Sequence, residues 1–359
     1  MHSQPGQRQN RMSSGLELAA QHDAAGRHDD AVNALAVATR DGDLDAMTAL
    51  GTRLVVGDRA PFLPHDGASL LADAARGNAE AAVRFACMSA LGAHVDQSWD
   101  RALALLAHAA ELGSESARGQ LRLLRGRESP SSSKSWRELA REIDLAAWLT
   151  PTPGKTLHDA PLVRQFSSFV NDAACEWLIE RGRSGLRPAM IYSGADVRDI
   201  KDDMRTNSIA VLHLGLIDFI NVIVQYRIAA ACGMPVANLE GPTVLHYKVG
   251  EQITDHTDFV NPTMPHYADE IATRGDRLIT FLVYLNGDYD GGATQFPLID
   301  VRHKGRRGDG LFFCNVTPDG KPDGRAVHAG TPPTRGEKWV LSQFIRSRAV
   351  FNSPAENVG

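Results

Sequence analysis

Two histidines and an aspartate carry the chemistry most readily read from this chain. His256-Thr257-Asp258 sets an imidazole and a carboxylate two residues apart, and His328 follows 70 positions after Asp258. Two neutral nitrogens and one carboxylate form a facial ligand set that suits non-haem Fe(II) and leaves coordination positions open. A bidentate 2-oxo acid would fill two of those positions and dioxygen a third. A net charge of about +1 on the ligated ferrous ion favours such an anionic chelator. The far carboxylate of that acid needs a cation, because an unpaired carboxylate in a dry cavity costs several kcal/mol. Lys338, ten residues beyond His328, is the candidate.

The ligands need elements that aim them at one point. On a strand, residues i and i+2 share a face, so His256 and Asp258 would both point inward while Thr257 points away. His328 must then come from a second strand. The turn signals in Thr331-Pro332-Pro333-Thr334-Arg335-Gly336 predict a hairpin that sets His328 and Lys338 on neighbouring antiparallel strands. The texture around them is β: an alternating run at 243–249, an almost wholly apolar run at 278–285, and further strands at 310–314 and 338–345. Asn286-Gly287, Gly291-Gly292 and Asp319-Gly320 punctuate these runs. Helices are predicted over Phe166–Arg183 and Leu212–Ala231, ahead of the strands. The expectation is an α+β protein whose residues 156–350 form a double-stranded β-helix, or jelly roll, with flanking helices.

The first third is rich in Ala and Leu and repeats itself. Leu70-Leu71 recurs 35 positions later as Leu105-Leu106, and Gly42 precedes Gly77 by the same interval. A period in the 30s with two amphipathic helices per unit is the mark of a helical solenoid, each glycine sitting where a helix would end. Residues 25–125 resemble Sel1-like repeats, relatives of the tetratricopeptide class. Residues 1–24 read as disordered or loosely ordered. Residues 126–155 read as a Ser- and Pro-rich linker followed by one bracing helix, Trp136–Leu149, and 351–359 read as a tail.

Composition narrows the function classes. A formal net charge of −5 argues against binding nucleic acid through its phosphates. Cys87, Cys175, Cys232 and Cys314 lack CxxC spacing, which argues against a disulfide framework or zinc knuckle and for a reducing compartment. The first 15 residues lack the apolar core of a signal peptide, and no apolar run approaches the ~20 residues that span a bilayer. The expectation is a cytoplasmic protein with no membrane association.

Residues 161–346 resemble the catalytic domain of prolyl 4-hydroxylases, within the Fe(II)/2-oxoglutarate dioxygenases. The resemblance rests on Arg205-Thr206-Asn207-Ser208, on Tyr247 nine residues before His256, and on His256-Thr257-Asp258-Phe259. It extends through Thr280–Leu285, Gly291-Gly292-Ala293-Thr294-Gln295-Phe296-Pro297 and Arg306-Arg307-Gly308-Asp309-Gly310 to His328 and Lys338. It implies Fe(II) on His256, Asp258 and His328, and 2-oxoglutarate held by Lys338, Thr294 and Tyr247. It also implies a peptide substrate faced by Arg277, and ascorbate as supporting reductant. The reaction implied is hydroxylation of a C–H bond, of prolyl residues first, with succinate and CO2 as co-products and the helical repeats recruiting the substrate. Asp258 itself favours hydroxylation, since a small residue there would admit a halide to the iron. Two features depart from the pattern: a long polar segment at 261–274 that could form a lid, and Phe344 where related sequences often carry Trp. Three other readings use the same residues. They are an oxygenase of a free amino acid or metabolite, a zinc or manganese cupin without redox chemistry, and an inert metal-binding barrel on a repeat scaffold. The last two leave Lys338 and Thr294 without a role.

Overall fold

The computed structural model describes residues 6–126, 134–189, 204–260 and 268–351, with backbone alone for 6–14. The chain divides into two compact units. One holds Met1–Asp144 with His213–Val222, and the other holds Leu145–Leu212 with Ile223–Asn352.

The first unit is helical: α1 (Gly6–Ala24), α2 (His28–Arg40), α3 (Leu44–Val56), α4 (Pro64–Ala74), α5 (Ala79–Leu91), α6 (Trp99–Glu111), α7 (Glu115–Arg125) and α8 (Trp136–Arg141). Short polar side chains start these helices. Asp43, Asn78, Ser98 and Ser114 each accept a hydrogen bond from a backbone N–H of the following first turn. The helices from α1 to α7 pack chiefly on their sequence neighbours, and α8 packs on α6 as well as α7. The interfaces are lined by fully buried alanines, among them Ala31, Ala46, Ala81, Ala86, Ala102 and Ala110. Small residues let the axes approach, as they do between α3 and α4. A Cβ added to Gly67 would sit 2.6 Å from the Gly51 carbonyl oxygen, and one added to Gly51 would sit 3.0 Å from that of Gly67.

The repeat glycines serve two purposes. Gly42 and Gly113 take left-handed φ values of 86° and 99° after helix ends, as their spacing predicts. Gly77 does not take one. A side chain there would instead meet Leu44 at 2.8 Å, so the requirement is room. The stretch 1–24, expected to be loosely ordered, contains α1. Leu16 and Ala19 fasten that helix to a cluster around Ala31, Leu35, Ala46 and Leu50, which offsets the cost of ordering it.

In the second unit α9 (Leu145–Leu149) precedes a hairpin of β1 (Gly154–Asp159) and β2 (Leu162–Phe166). There follow α10 (Asp172–Arg183), β3 (Arg187–Pro188), β4 (Ser208–Val211), α11 (Phe219–Cys232, of which Phe219–Val222 belong to the first unit), β5 (Thr243–Tyr247), β6 (Ile253–His256) and α12 (Ala268–Arg274). The remaining strands are β7 (Arg277–Tyr284), β8 (Asp290–Gly291), β9 (Thr294–Phe296), β10 (Val301–His303), β11 (Gly310–Cys314), β12 (His328–Gly330), β13 (Pro333–Arg335) and β14 (Lys338–Arg346). They form an eight-stranded sheet ordered β1-β2-β11-β7-β14-β5-β4-β3, a four-stranded sheet ordered β10-β9-β12-β6, and the short pair β13-β8. The apolar runs at β7 and β14 occupy the middle of the large sheet, where both faces are covered. Phe296 of the small sheet packs with Val163, Leu282, Tyr284, Leu311, Phe313 and Val340 of the large one, so the two sheets face each other across a single core.

Three helix predictions shift. Phe166 closes β2, and α10 begins only at Asp172, where Asn171 accepts from Ala174 N–H at 2.9 Å. The helix expected from Leu212 begins at Phe219, because Asp218 and Asn221 cap each other's backbone at 3.1 and 3.2 Å. The single helix expected over Trp136–Leu149 is two, interrupted at Ile143-Asp144, where a β-branched residue and an Asp disfavour helix. Of the candidate lid at 261–274, Ala268–Arg274 is α12 and 261–267 lie outside the described residues.

Substituting Gly67 with Val is expected to force α3 and α4 apart and destabilise the helical unit by about 1–3 kcal/mol. Thermal unfolding followed by circular dichroism checks this, and an unchanged melting temperature would show that the close backbone contact is dispensable.

Candidate metal centre

Strand pairing brings the two histidines together. His256 ends β6, His328 begins β12, and they are direct partners in the antiparallel register. Their rings lie 4.3 Å apart, centroid to centroid. Asp258 follows two residues after β6. Its Oδ1 is 3.5 Å from His256 Nε2 and its Oδ2 is 3.4 Å from His328 Nε2. One ligand atom from each of the three lies within 4.8 Å of the others, the only such cluster of His, Cys, Asp or Glu among the described residues.

The donor set is prepared for a cation. Each imidazole is tied through Nδ1 to the carbonyl two residues earlier, His256 to Thr254 at 2.8 Å and His328 to Ala326 at 3.0 Å. A carbonyl only accepts, so Nδ1 carries the proton and Nε2 turns a lone pair toward the cluster. Burial pulls His328 down to about 4, which keeps it neutral at ordinary pH. Burial would raise the Asp258 carboxyl, but His328, His256 and a hydrogen bond from Thr280 hold it well below the usual carboxylate range. His256 is raised: burial opposes its charge, and contact with Asp258 outweighs burial. Two neutral nitrogens and one carboxylate around a single point fit a divalent transition metal.

A buried cation lies on the facing sheet. Lys338 is the first residue of β14, opposite Tyr247 of β5, and only 2% of it is exposed. Its Nζ lies 5.0 Å from the Tyr247 ring centre and 5.7 Å from that of Tyr284. Among the described residues the ammonium meets these two ring faces and no carboxylate. Desolvation lowers it to about 7. Thr294 of β9 shares a hydrogen bond with the Tyr284 hydroxyl at 2.8 Å. A Cβ on Gly330 would come within 3.5 Å of the Tyr247 hydroxyl, so that hydroxyl reaches the strand that begins with His328.

This geometry corrects one expectation. His328 and Lys338 do not lie on neighbouring strands: β12 belongs to the four-stranded sheet and β14 to the eight-stranded one. Pro332 and Pro333 have no N–H to extend a ladder, so the intervening chain breaks away. It pairs instead as β13 with β8 and then crosses to the other sheet. Arg277 begins β7 and forks onto Glu240 at 2.8 and 3.0 Å, with its guanidinium 3.9 Å from the Phe344 ring centre. Glu240 is also bonded by Arg346. Burial would raise the Glu240 carboxyl, but Arg277 and Arg346 bring it to about 2.

Sequence reading missed Tyr284, Thr280 and Asn315 as parts of this region. Thr280 left a signal, a hydroxyl in the middle of an otherwise apolar strand that is buried on both faces. Asn315 left none.

Comparison with known proteins adds an independent finding. Residues 242–346 match the profile of the 2OG-Fe(II) oxygenase superfamily. The chain is 30% identical over 217 residues to a probable prolyl 4-hydroxylase 9 of Arabidopsis thaliana, covering 55% of this chain and 72% of that protein. It is 25% identical to prolyl 4-hydroxylase 13 of the same plant, covering 62% of this chain and 84% of that one. Among solved structures it is similar to the viral collagen prolyl hydroxylase of Paramecium Bursaria Chlorella virus-1 in its 2OG complex. That likeness has 23% identity and a TM-score of 0.41, over 54% of this chain and 99% of the other.

Asp258→Ala is expected to weaken divalent-metal binding by more than the roughly 10–100-fold typical of losing an outer-shell partner. Calorimetric titration of the purified protein with Co(II) measures this, and wild-type affinity in the variant would remove Asp258 from the ligand set.

Proposed function

The chain belongs to the prolyl 4-hydroxylase family of the 2OG-Fe(II) oxygenase superfamily, and on that premise we propose that it hydroxylates prolyl residues of a peptide or protein. It is a dioxygenase whose cofactors are Fe(II) and 2-oxoglutarate. One oxygen atom of O2 enters the substrate C–H bond and the other enters succinate, formed with CO2 from 2-oxoglutarate. When bound, Fe(II) supplies the activation of O2 that couples these two oxidations.

The chain's own residues divide the remaining work. His256, Asp258 and His328 hold the metal. Lys338 receives the far carboxylate of 2-oxoglutarate, Thr294 donates to it from the facing sheet, and Tyr247, whose ring meets Lys338 and whose hydroxyl reaches the His328 strand, helps position it. The observation that carries this assignment is a buried ammonium with no carboxylate partner among the described residues, in the same barrel as the His-Asp-His cluster. A bare buried charge is costly, and a dicarboxylate that reached it would relieve the cost. Arg277 is assigned to the substrate side, where its pairing with Glu240 and stacking on Phe344 would stiffen it before a peptide arrives. Ascorbate is assigned as the reductant that restores ferrous iron after turnovers that hydroxylate nothing.

The helical unit is read as Sel1-like repeats that recruit the macromolecular substrate. The 35-residue recurrence supports this, since its paired leucines fall on α4 and α6. Residence in the cytoplasm is proposed on the four cysteines, all of them free thiols.

Two measurements bear on these assignments. Protein incubated with Fe(II), 2-oxoglutarate, ascorbate and a pool of proline-containing peptides is expected to yield succinate and peptides heavier by one oxygen atom at proline. Oxygen found only on free amino acids, or on no peptide, would overturn the prolyl assignment. The charge of Lys338 gives a pH signature. Its ammonium is present below about 7 and lost above it, and the charged form is the one that binds a carboxylate. The dissociation constant for 2-oxoglutarate is therefore expected to be flat below neutrality and to rise by about tenfold per pH unit above it. Lys338→Arg, which stays charged, is expected to flatten that rise. A rise of equal slope in the variant would exclude Lys338 as its source.

A further inference from the structure

Thr280 and Asn315 form a short relay behind Asp258. The Thr280 hydroxyl lies 2.7 Å from Asp258 Oδ2, and Asn315 Nδ2 lies 3.0 Å from that same hydroxyl. All three side chains are buried: 1% of Thr280, none of Asn315 and 9% of Asp258 is exposed.

The direction of each bond is forced. An ionised carboxylate only accepts and a hydroxyl has one proton, so Thr280 donates to Asp258. The hydroxyl must then accept from Asn315, which turns the amide nitrogen toward it. Asn315 is itself fixed. Its backbone N–H donates to the Leu278 carbonyl at 2.8 Å, and its backbone carbonyl accepts from Asp323 N–H at 3.0 Å. The Asp323 carbonyl in turn accepts from Ala326 N–H at 2.9 Å, and the Ala326 carbonyl accepts from His328 Nδ1 at 3.0 Å. One loop thus orients the support of the carboxylate and the support of an imidazole.

The relay makes the two carboxylate oxygens unlike. Each oxygen has one imidazole nitrogen beside it, Oδ1 that of His256 at 3.5 Å and Oδ2 that of His328 at 3.4 Å, but Oδ2 alone carries a hydrogen bond from the Thr280 hydroxyl among the described residues. We propose that Thr280, oriented by Asn315, is a positioning residue that engages Oδ2 and leaves Oδ1 as the single donor to the metal. Asp258 then binds through one oxygen, and the position that a two-oxygen carboxylate would close stays open to the oxidant. This inference rests on the metal-centre reading above.

Co(II) serves as the probe, because its visible absorption reports ligand number as well as affinity. Thr280→Val removes the hydroxyl at nearly constant volume in a strand that favours β-branched residues. The variant is expected to bind Co(II) about 10–100-fold more weakly. Its visible spectrum should change, and succinate should form in excess over hydroxylated product. Thr280→Ser is expected to restore affinity and spectrum to near wild type. Asn315→Ala should weaken binding in the same direction, and it reads the same bond should Thr280→Val not fold. The double variant should be no worse than Thr280→Val, since both losses pass through one hydroxyl. Unchanged affinity and spectrum in Thr280→Val, failure of Thr280→Ser to rescue, or additive losses in the double variant would each overturn the proposal. Failure of the wild-type protein to bind Co(II) would overturn the metal-centre reading and this one together. Wild-type binding that Thr280→Val leaves intact would overturn this one alone.

Discussion

A carboxylate buried between two imidazoles is the constraint around which the barrel is arranged. Asp258 is removed from water, and burial by itself would favour its neutral form. It stays ionised because the Thr280 hydroxyl donates to it and the two imidazoles lie against it. Each neighbour comes from a different strand: β6, β12 and β7. Two of these belong to the small sheet and one to the large, so the site exists only when the two sheets are stacked. Fold and ligand set are in this sense one condition. The apolar cluster around Phe296 and Phe313 closes the sheets, and the rings of both lie directly against His328.

On the role proposed for Lys338, its place on the sheet opposite His328 would have a functional consequence. A co-substrate with a charge at each end needs its two anchors spaced across a cavity, and facing sheets about 10 Å apart supply such a span where adjacent strands do not. The two prolines after β12 cannot donate to its ladder, and the chain pairs with β8 before it crosses to the other sheet. The ammonium is then lined by tyrosine faces, which hold it in place, and no carboxylate among the described residues meets it.

What was legible in the sequence follows from what is local. The His256–Asp258 pair, the lysine ten residues after His328, the apolar runs of β7 and β14 and the turn glycines are each visible as residue types at short spacing, and His328 as the partner that pair lacks. The β1–β2 hairpin was missed because Gly154–Asp159 is a mostly exposed strand of mixed polarity, which leaves no alternation to read. The starts of α10 and α11 were misplaced because a cap overrides an apolar stripe, and the caps at Asn171 and Asp218 act on individual N–H groups. Asn315 was illegible for a different reason. Its partner Thr280 is 35 residues away, and no local pattern records a hydrogen bond between two strands.

The three ligands are also restrained in two different ways. His256 and His328 are held by their ladder, each in register with the other and each tied back to its own backbone. Asp258 lies past the end of β6, the edge strand of the small sheet, and has no ladder to hold it. Its backbone is steadied at Val260, whose N–H donates to Asp276 Oδ1 at 2.8 Å, and its carboxylate is steadied by Thr280. Asp276 directly precedes β7 and Thr280 lies within it, so the central strand of the large sheet supplies both restraints. A carboxylate at a free chain end would sample several rotamers, and fixing one of them in advance removes that entropy cost from metal binding. The apolar character of β7 buries it on both faces, and its one central hydroxyl spends that rigidity on a single oxygen atom of Asp258.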